Sequence, residues 1–362
     1  MTIKNIRLGS AAAIAGAVLL SFGAASPASA AEMIKLTAID GYSLKSMWVR
    51  EFSKFLIPEI DKRLASTGNY KIQWNQAWGG QIVKPRGVMG GMQKGLGDIG
   101  VVTTVFHQDK VPLQMIAYAT PFVTTDPTLV ARTVDALADK FPAYKQGFAK
   151  FNQVYLASVA VLDTYQMFSK KPIKTTADFK GHKIGVAGLN ARWLEGFGGA
   201  TVGGSLVGYY NKLKTGVLDT IMLWPESVVG RKMYEVAPYM LKADLGTVNS
   251  KNVTANSKTW KKLPGEVRKA IRASVVLYRD HTTKKALDLA DASYKAFTKN
   301  GGYIHVMSAF ERAKWARAMP NVAKGWAAAQ NKKGLPGTAI LSAYMDAMRA
   351  AKQPILRHWD KE

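Results

Sequence analysis

The run DFKGHKIGVAGLNARWLEGFGGATVGGSLVGYYNKLKTGVLDTIMLWPESVVGRKMYE, residues 178–235, decides the fold class. KIGVA (183–187) is a short apolar run bounded by glycines, which reads as a buried strand. Gly188 and Asn190 supply a turn, and residues 191–196 open a helix carrying Arg192 and Trp193. Leu206, Tyr209, Tyr210 and Leu213 recur at helical spacing, Gly216 stops that helix, and residues 218–224 form the next strand. Strand, helix and strand in succession make an α/β fold. The loops of this unit gather an arginine, two tryptophans and a helix start, a set suited to holding a ligand.

Outward from that stretch the same alternation continues. Residues 33–39 and 70–76 read as strands, with an amphipathic helix over 44–64 between them that Pro58 kinks or breaks. A helix over 85–94 leads to a strand over 98–104. Between them G95-L-G97-D-I-G100 matches the dinucleotide fingerprint letter by letter. That fingerprint needs a strand before it and a helix after it, and here the order is reversed, so the glycines close a helix. Residues 113–122 form a packed crossover, 126–148 are helical, and 154–161 form an apolar strand. An extended crossing over 162–170 leads into the second half, and 252–256 return as a strand to the first. Pro264 opens a long helix over 265–299, residues 303–306 form a last strand, and helices fill the tail.

Composition narrows the function. Lys4 and Arg7, an apolar run over 11–22 and Ala28-Ser29-Ala30 form an export leader, with cleavage expected near Ala30 and a periplasmic destination. The 362 residues contain no cysteine, which excludes disulfides and thiolate chemistry. The formal charge of +25 is scattered without a nucleic-acid-binding signature, so no nucleic-acid partner is expected, and the field favours small anions. His107, His182, His281, His305 and His358 stand far apart, and neither a nucleophile elbow nor a P-loop is present. The expectation is a binder, not an enzyme, with no cofactor and no metal.

KGHKIGV, G-A-T-V, YYNKLKTGVLD and K-M-YEV, in that order, resemble the solute-binding proteins of tripartite ATP-independent periplasmic (TRAP) transporters. Asp178, Lys180, Gly181, Lys183, Tyr210, Thr215, Gly216, Asp219, Tyr234, Glu235 and Val236 stand at that family's places. Gln81, Gly97-Asp98, Thr120-Pro121-Phe122 and the Asn256, Trp260, Leu263, Pro264 run agree as well. The resemblance implies a two-lobed periplasmic binding protein fold, with a central ligand cleft and a long lobe-spanning helix. The expected division is a leader (1–30), one lobe from 31–162 with 250–290, and a second from 163–249 with 291–362. It also implies a small organic anion as ligand and the small and large integral membrane subunits of a TRAP permease as partners.

The family usually clamps its acid with an arginine two residues after the strand's lysine; that place is Gly185 here, and a second, often polar place on the crossover strand is Tyr165. Arg192, one turn into the next helix, is the expected replacement, because a guanidinium gives a carboxylate two parallel charged hydrogen bonds. The free N–H groups beginning at Asn190 could add to it. Trp224 would wall the cleft, and Glu226 would ligate a metal or receive a hydroxyl. The resemblance implies that the first strand-to-helix loop lines the cleft, which makes Asp40 and Tyr42 candidates; Thr103, Thr104 and Phe106 come from the carboxyl end of the third strand, where α/β sheets bind ligands. With Tyr42, Trp78, Phe106 and Tyr165 the pocket is aromatic, which predicts a small organic acid with an apolar or aromatic body. The other readings open at this point are a receptor for an ATP-driven importer or a sensor, and a secreted enzyme acting on small acids.

Overall fold

A computed structural model describes residue 1 and residues 31–362. The expected leader and its cleavage point near Ala30 lie outside the described residues.

Among the described residues eleven strands form two sheets. The first is built from β1 (Glu32–Ile39), β2 (Tyr70–Ala77), β3 (Ile99–Thr103), β4 (Gln153–Val159) and β10 (Lys251–Asn256), in the order β2-β1-β3-β10-β4. The second holds β5 (Gln166–Ser169), β6 (Lys183–Val186), β7 (Ala200–Gly203), β8 (Thr220–Leu223), β9 (Tyr239–Lys242) and β11 (Tyr303–Val306), in the order β11-β9-β5-β8-β6-β7. β1, β2 and β3 run parallel, while β10 is antiparallel to both β3 and β4. The start of β10 therefore lies at the carboxyl end of β3. In β3 and β10 every residue is buried, the pattern of central strands covered on both faces.

Two segments cross between the sheets side by side. Tyr165 and Leu245 or Gly246 exchange backbone hydrogen bonds of 3.1 Å, and Thr164 Oγ1 accepts from the Gly246 N–H at 2.9 Å. The third connection is the 35-residue helix Gly265–Lys299, about 50 Å long at 1.5 Å per residue. Its Tyr278 hydroxyl donates to the Trp48 carbonyl of the first lobe at 2.7 Å. Near its other end Tyr294 accepts from Gln166, and Phe297 packs edge-on against Phe168, both in the second lobe. One helix thus enters the core of both lobes.

Three local expectations change. The helix over 44–64 consists of Met47–Glu51, a π-helical turn Phe52–Leu56, and Ile57–Ala65. Pro58 has no N–H and its ring crowds the carbonyl four residues back, and a wider turn just before it relieves both. The segment carrying Arg192 is a 3₁₀ segment, Gly188–Leu194, not an α-helix, because Asn190 Oδ1 accepts from the Ala187 N–H and ties the turn down. The tail is shared. Trp315 packs edge-on against Phe179 of the second lobe and Phe122 of the first, while Trp326 donates to the Pro112 carbonyl. The last helices, Val322–Asn331 and Gly337–Ala350, pack on Ile116–Ala119 and Pro127–Lys140, so they lie on the first lobe, not with the second as the sequence suggested.

A candidate solute-binding cleft

Between the carboxyl end of β3 and the loops that follow β6 and β8 lies a narrow cavity of about 30 Å³. Its aromatic wall is Tyr42, Phe106, Tyr118, Tyr165, Tyr209 and Trp224. Thr103, Ser250 and Lys251 supply its polar groups. A volume this small holds little more than a water, so the two lobes approach each other closely here.

Lys251 is the residue that gives this cavity a charge. It opens β10 directly opposite Thr103, and residues paired in an antiparallel ladder project to the same face. Only 3% of its surface is exposed. Its Nζ lies 4.5 Å from the centre of the Trp48 ring and 5.7 Å from that of Tyr42, so π faces partly replace the lost water. Among the described residues no carboxylate lies within 4.0 Å of it and no side chain or carbonyl accepts its protons. Burial pushes its pKa down to about 7, against the attraction of Asp40.

Asp40 sits under the cavity floor. Its carboxylate accepts from the Tyr42 N–H at 2.8 Å and from Trp48 Nε1 at 2.9 Å. Burial still outweighs those bonds and raises its pKa to about 7. A buried ammonium without a carboxylate in contact, next to a carboxyl that burial makes hard to ionise, is a site lacking negative charge.

The strand position that could have carried an arginine is filled. A Cβ on Gly185 would come within 2.7 Å of Leu218 Cδ1 and 3.0 Å of the Tyr209 ring. Tyr209 occupies that side and anchors its hydroxyl on the Val186 carbonyl at 2.8 Å. Closure also needs Gly188. Its φ is +61°, and a Cβ there would stand 2.6 Å from the Val105 carbonyl of the opposite lobe. Across the outer mouth Arg231 donates to Ser46 Oγ at 2.7 Å, joining the lobes, and Lys45, Lys84 and Lys232 line the same mouth with no acid among its lining residues.

Of the residues expected from the sequence, Tyr42, Thr103, Phe106, Tyr165 and Trp224 meet at this cavity. The others do not line it. Arg192 lies at the surface, paired with Glu195 at 3.0 Å. Asn190 is buried and braces its own turn. Thr104 is buried behind β3, Trp78 packs edge-on against Phe52, and Glu226 accepts from Trp224 Nε1 at 3.1 Å. Lys251, Tyr118, Ser250 and Tyr209 were not singled out. The available signal for Lys251 was topological: the first residue of a strand returning antiparallel beside β3 must lie at the ligand-binding edge. Among the described residues no group of acids and histidines is arranged to hold a metal ion.

The bacterial extracellular solute-binding protein family 7, DctP, matches residues 50–330. The chain belongs to this family. A curated solute-binding protein of Sulfitobacter sp. strain NAS-14.1 is 30% identical over 111 residues, 30% of this chain and 33% of that protein, so the match spans about a third of the relative's length. Among solved structures, a TRAP solute-binding protein of Rhodoferax ferrireducens T118 in complex with benzoate superposes with a TM-score of 0.79 at 20% identity, over 88% of this chain and 98% of that one. An extracytoplasmic solute receptor of Bordetella pertussis binding pyroglutamic acid gives 0.75 at 18% identity, over 88% and 100%. A marine metagenome protein specific for aromatic acids, with 3-hydroxybenzoate, gives 0.75 at 21%, over 88% and 99%. These likenesses show the two-lobed fold; the family, by its description, is one of bacterial extracellular solute-binding proteins.

Proposed function

We propose that this DctP-family receptor captures a small organic acid with a flat apolar or aromatic body in the periplasm and delivers it to a TRAP-type permease. The observation that carries the reading is Lys251, a buried cation with no carboxylate in contact among the described residues, inside a cavity walled by six aromatic side chains. The ammonium and Thr103 Oγ1 meet the ligand's carboxylate, and Tyr42, Phe106 and Trp224 enclose its ring. Arg192 does not serve as the anchor, since its guanidinium is engaged with Glu195 outside the cavity. Basic groups at the mouth draw the anion in, and the lobes open and reclose to admit it. The benzoate and pyroglutamate held by structural relatives are acids of this size and shape.

Thermal melts of ligand-free protein against benzoate, pyroglutamate, a short dicarboxylate and benzamide test the reading. A ligand at about a thousand times its Kd stabilises by roughly 4 kcal/mol, which moves the melting temperature by several degrees. Ring acids shift the melt and benzamide does not. Equal shifts from benzamide and benzoate would remove the anionic reading.

A further inference from the structure

We propose that the end of the first lobe farthest from the cleft is a docking surface for an anionic phospholipid bilayer, with a headgroup phosphate seated between Arg268, Lys269 and Arg272. The proposal does not depend on what the cleft binds.

Topology sets the place. β10 begins with Lys251 at the cleft and ends with Asn256 at the opposite end of the sheet, where the Asn256 side chain caps the short helix Ser257–Lys262. Pro264 then turns the chain into the long helix. Residues 258–272 of this corner carry six cations and one acid, a net of +5, whereas +25 over 362 residues averages about +1 in fifteen. Lys258, Lys261, Lys262, Lys269 and Arg272 are exposed and Arg268 is half-buried. None of the six forms a salt bridge among the described residues. The one acid, Glu266, is turned aside, accepting from Thr67 Oγ1 and from Asn69 Nδ2.

The corner holds a formed site. Trp260, Arg268, Lys269, Arg272 and Val276 line an open depression of about 630 Å³ with no acid in its wall. The Arg272 guanidinium lies 4.9 Å from the centre of the Trp260 ring, a cation–π contact that holds it in place. Trp260 is only 6% exposed, and its indole N–H has no hydrogen-bond partner among the described residues. Arg268 and Arg272 stand four residues apart on one helix face, a like-charge spacing that disfavours the helix. Partial burial, and then the charge of Arg268, hold the Arg272 pKa below the usual arginine value. Two guanidiniums, an ammonium and a free N–H around one depression are donors without an acceptor. A phosphate supplies both the oxygens and the charge.

Two observations favour a bilayer as the source of that phosphate. The positive surface continues past the depression, where Lys258 and Lys262 share a groove of about 440 Å³ with Lys35 and Lys94. Asp98 in that groove is spent on the Thr37 N–H and the Thr259 hydroxyl. So broad a surface matches an array of headgroups, whose attractions add. Glu32, the first residue of β1, lines the same groove, so the chain enters the fold beside the patch, directly after the expected export leader. A leader held in the membrane places this corner next to the bilayer, and the patch keeps the receptor there once the leader is gone.

Co-sedimentation of the mature chain with vesicles tests this, using phosphatidylcholine alone or with about a quarter phosphatidylglycerol at about 0.15 M salt. Partition onto the anionic vesicles is expected to be about tenfold or more above the neutral ones. Replacing Arg268, Lys269 and Arg272 together by Gln lowers it about tenfold. Replacing Lys324, Lys332 and Lys333 of the tail by Gln removes the same charge and lowers it less than threefold. A second patch variant, with Lys258, Lys261 and Lys262 replaced by Gln, repeats the loss and serves if the first folds poorly in a thermal melt. Equal losses from patch and tail variants would mean net charge alone, and no preference for anionic vesicles would remove the surface; either result overturns the proposal. Complete displacement by millimolar glycerol phosphate at constant ionic strength would assign the depression to a soluble phosphate and overturn the bilayer. None of these failures touches the acid site in the cleft.

Discussion

Replacing Lys251 by methionine keeps the length of the side chain and removes its charge, and the structure assigns two separable effects to that change. The first is on binding. The cavity loses its buried cation, and truncating one partner of a buried charge pair costs about 2–5 kcal/mol, or roughly 30-fold to 4,000-fold in Kd. The second is on the pH dependence of stability. Burial holds the Lys251 pKa near 7, down from 10.5, so above about pH 7 the native state gives up a proton that the unfolded chain keeps. Where the unfolded state binds more protons, stability rises with pH, by at most about 1.4 kcal/mol per pH unit for one group. Asp40 has the opposite sign. Its pKa is raised from 3.8 to about 7, so between those values the native state holds a proton the unfolded chain has lost, and stability falls as pH rises. Together the pair makes the empty protein least stable near neutrality. In Lys251→Met the rise above pH 7 disappears, and Asp40, without its neighbouring cation, keeps its proton to still higher pH and extends the fall. Urea midpoints of both proteins at pH 6, 7.5 and 9, with titrations of a ring acid at each pH, read out both effects. Parallel stability profiles together with acid affinities within threefold would refute the reasoning.

Arg192→Ala is expected to change acid affinity by less than twofold, since the guanidinium serves a surface pair with Glu195, the kind worth about 0–1 kcal/mol; titration checks it, and a tenfold loss would return Arg192 to the site. Gly185→Ala forces a methyl against Leu218 and Tyr209, and overpacking of this kind costs about 1–3 kcal/mol in a urea melt. Gly188→Ala places a Cβ against the Val105 carbonyl at a φ of +61°, which disfavours closure more than folding of either lobe. Small-angle scattering of that variant with saturating acid should show a larger radius than the wild type, and equal radii would mean that the close approach is not required.

The α/β alternation was legible because most of these strands are bounded by glycines and the helices between them keep an apolar face. Gly95 shows how far local chemistry reaches: its φ of +79° closes the helix Val88–Lys94, which is why the G-x-G-x-x-G run was no nucleotide loop. β7 and β9 were missed, being four residues each and without alternation strong enough to mark them. In the site, the aromatic wall was readable from strand ends, because Trp224 follows its strand directly and Tyr42 and Phe106 stand three residues beyond theirs. The anchor was not. A lysine at the start of KNVTAN looks like a solvated strand end, and only the antiparallel placement of β10 between β3 and β4 buries it. Tyr118 lies in the short helix Ile116–Ala119, where its hydroxyl reaches Tyr165 through a tertiary contact that no spacing encodes. Arg192 drew attention through its type and place, while Glu195 three residues on marked the local pair that holds it at the surface.

The most direct test of the central claim is a crystal structure of the mature chain with a bound ring acid, measured for the distance between the ligand's carboxylate and Lys251 Nζ. The account predicts a charge-assisted contact of about 2.7–2.9 Å, with the ring between Tyr42, Phe106 and Trp224. A carboxylate seated instead on Arg231 at the mouth or on Arg192, with Lys251 still without an anionic partner, would contradict it.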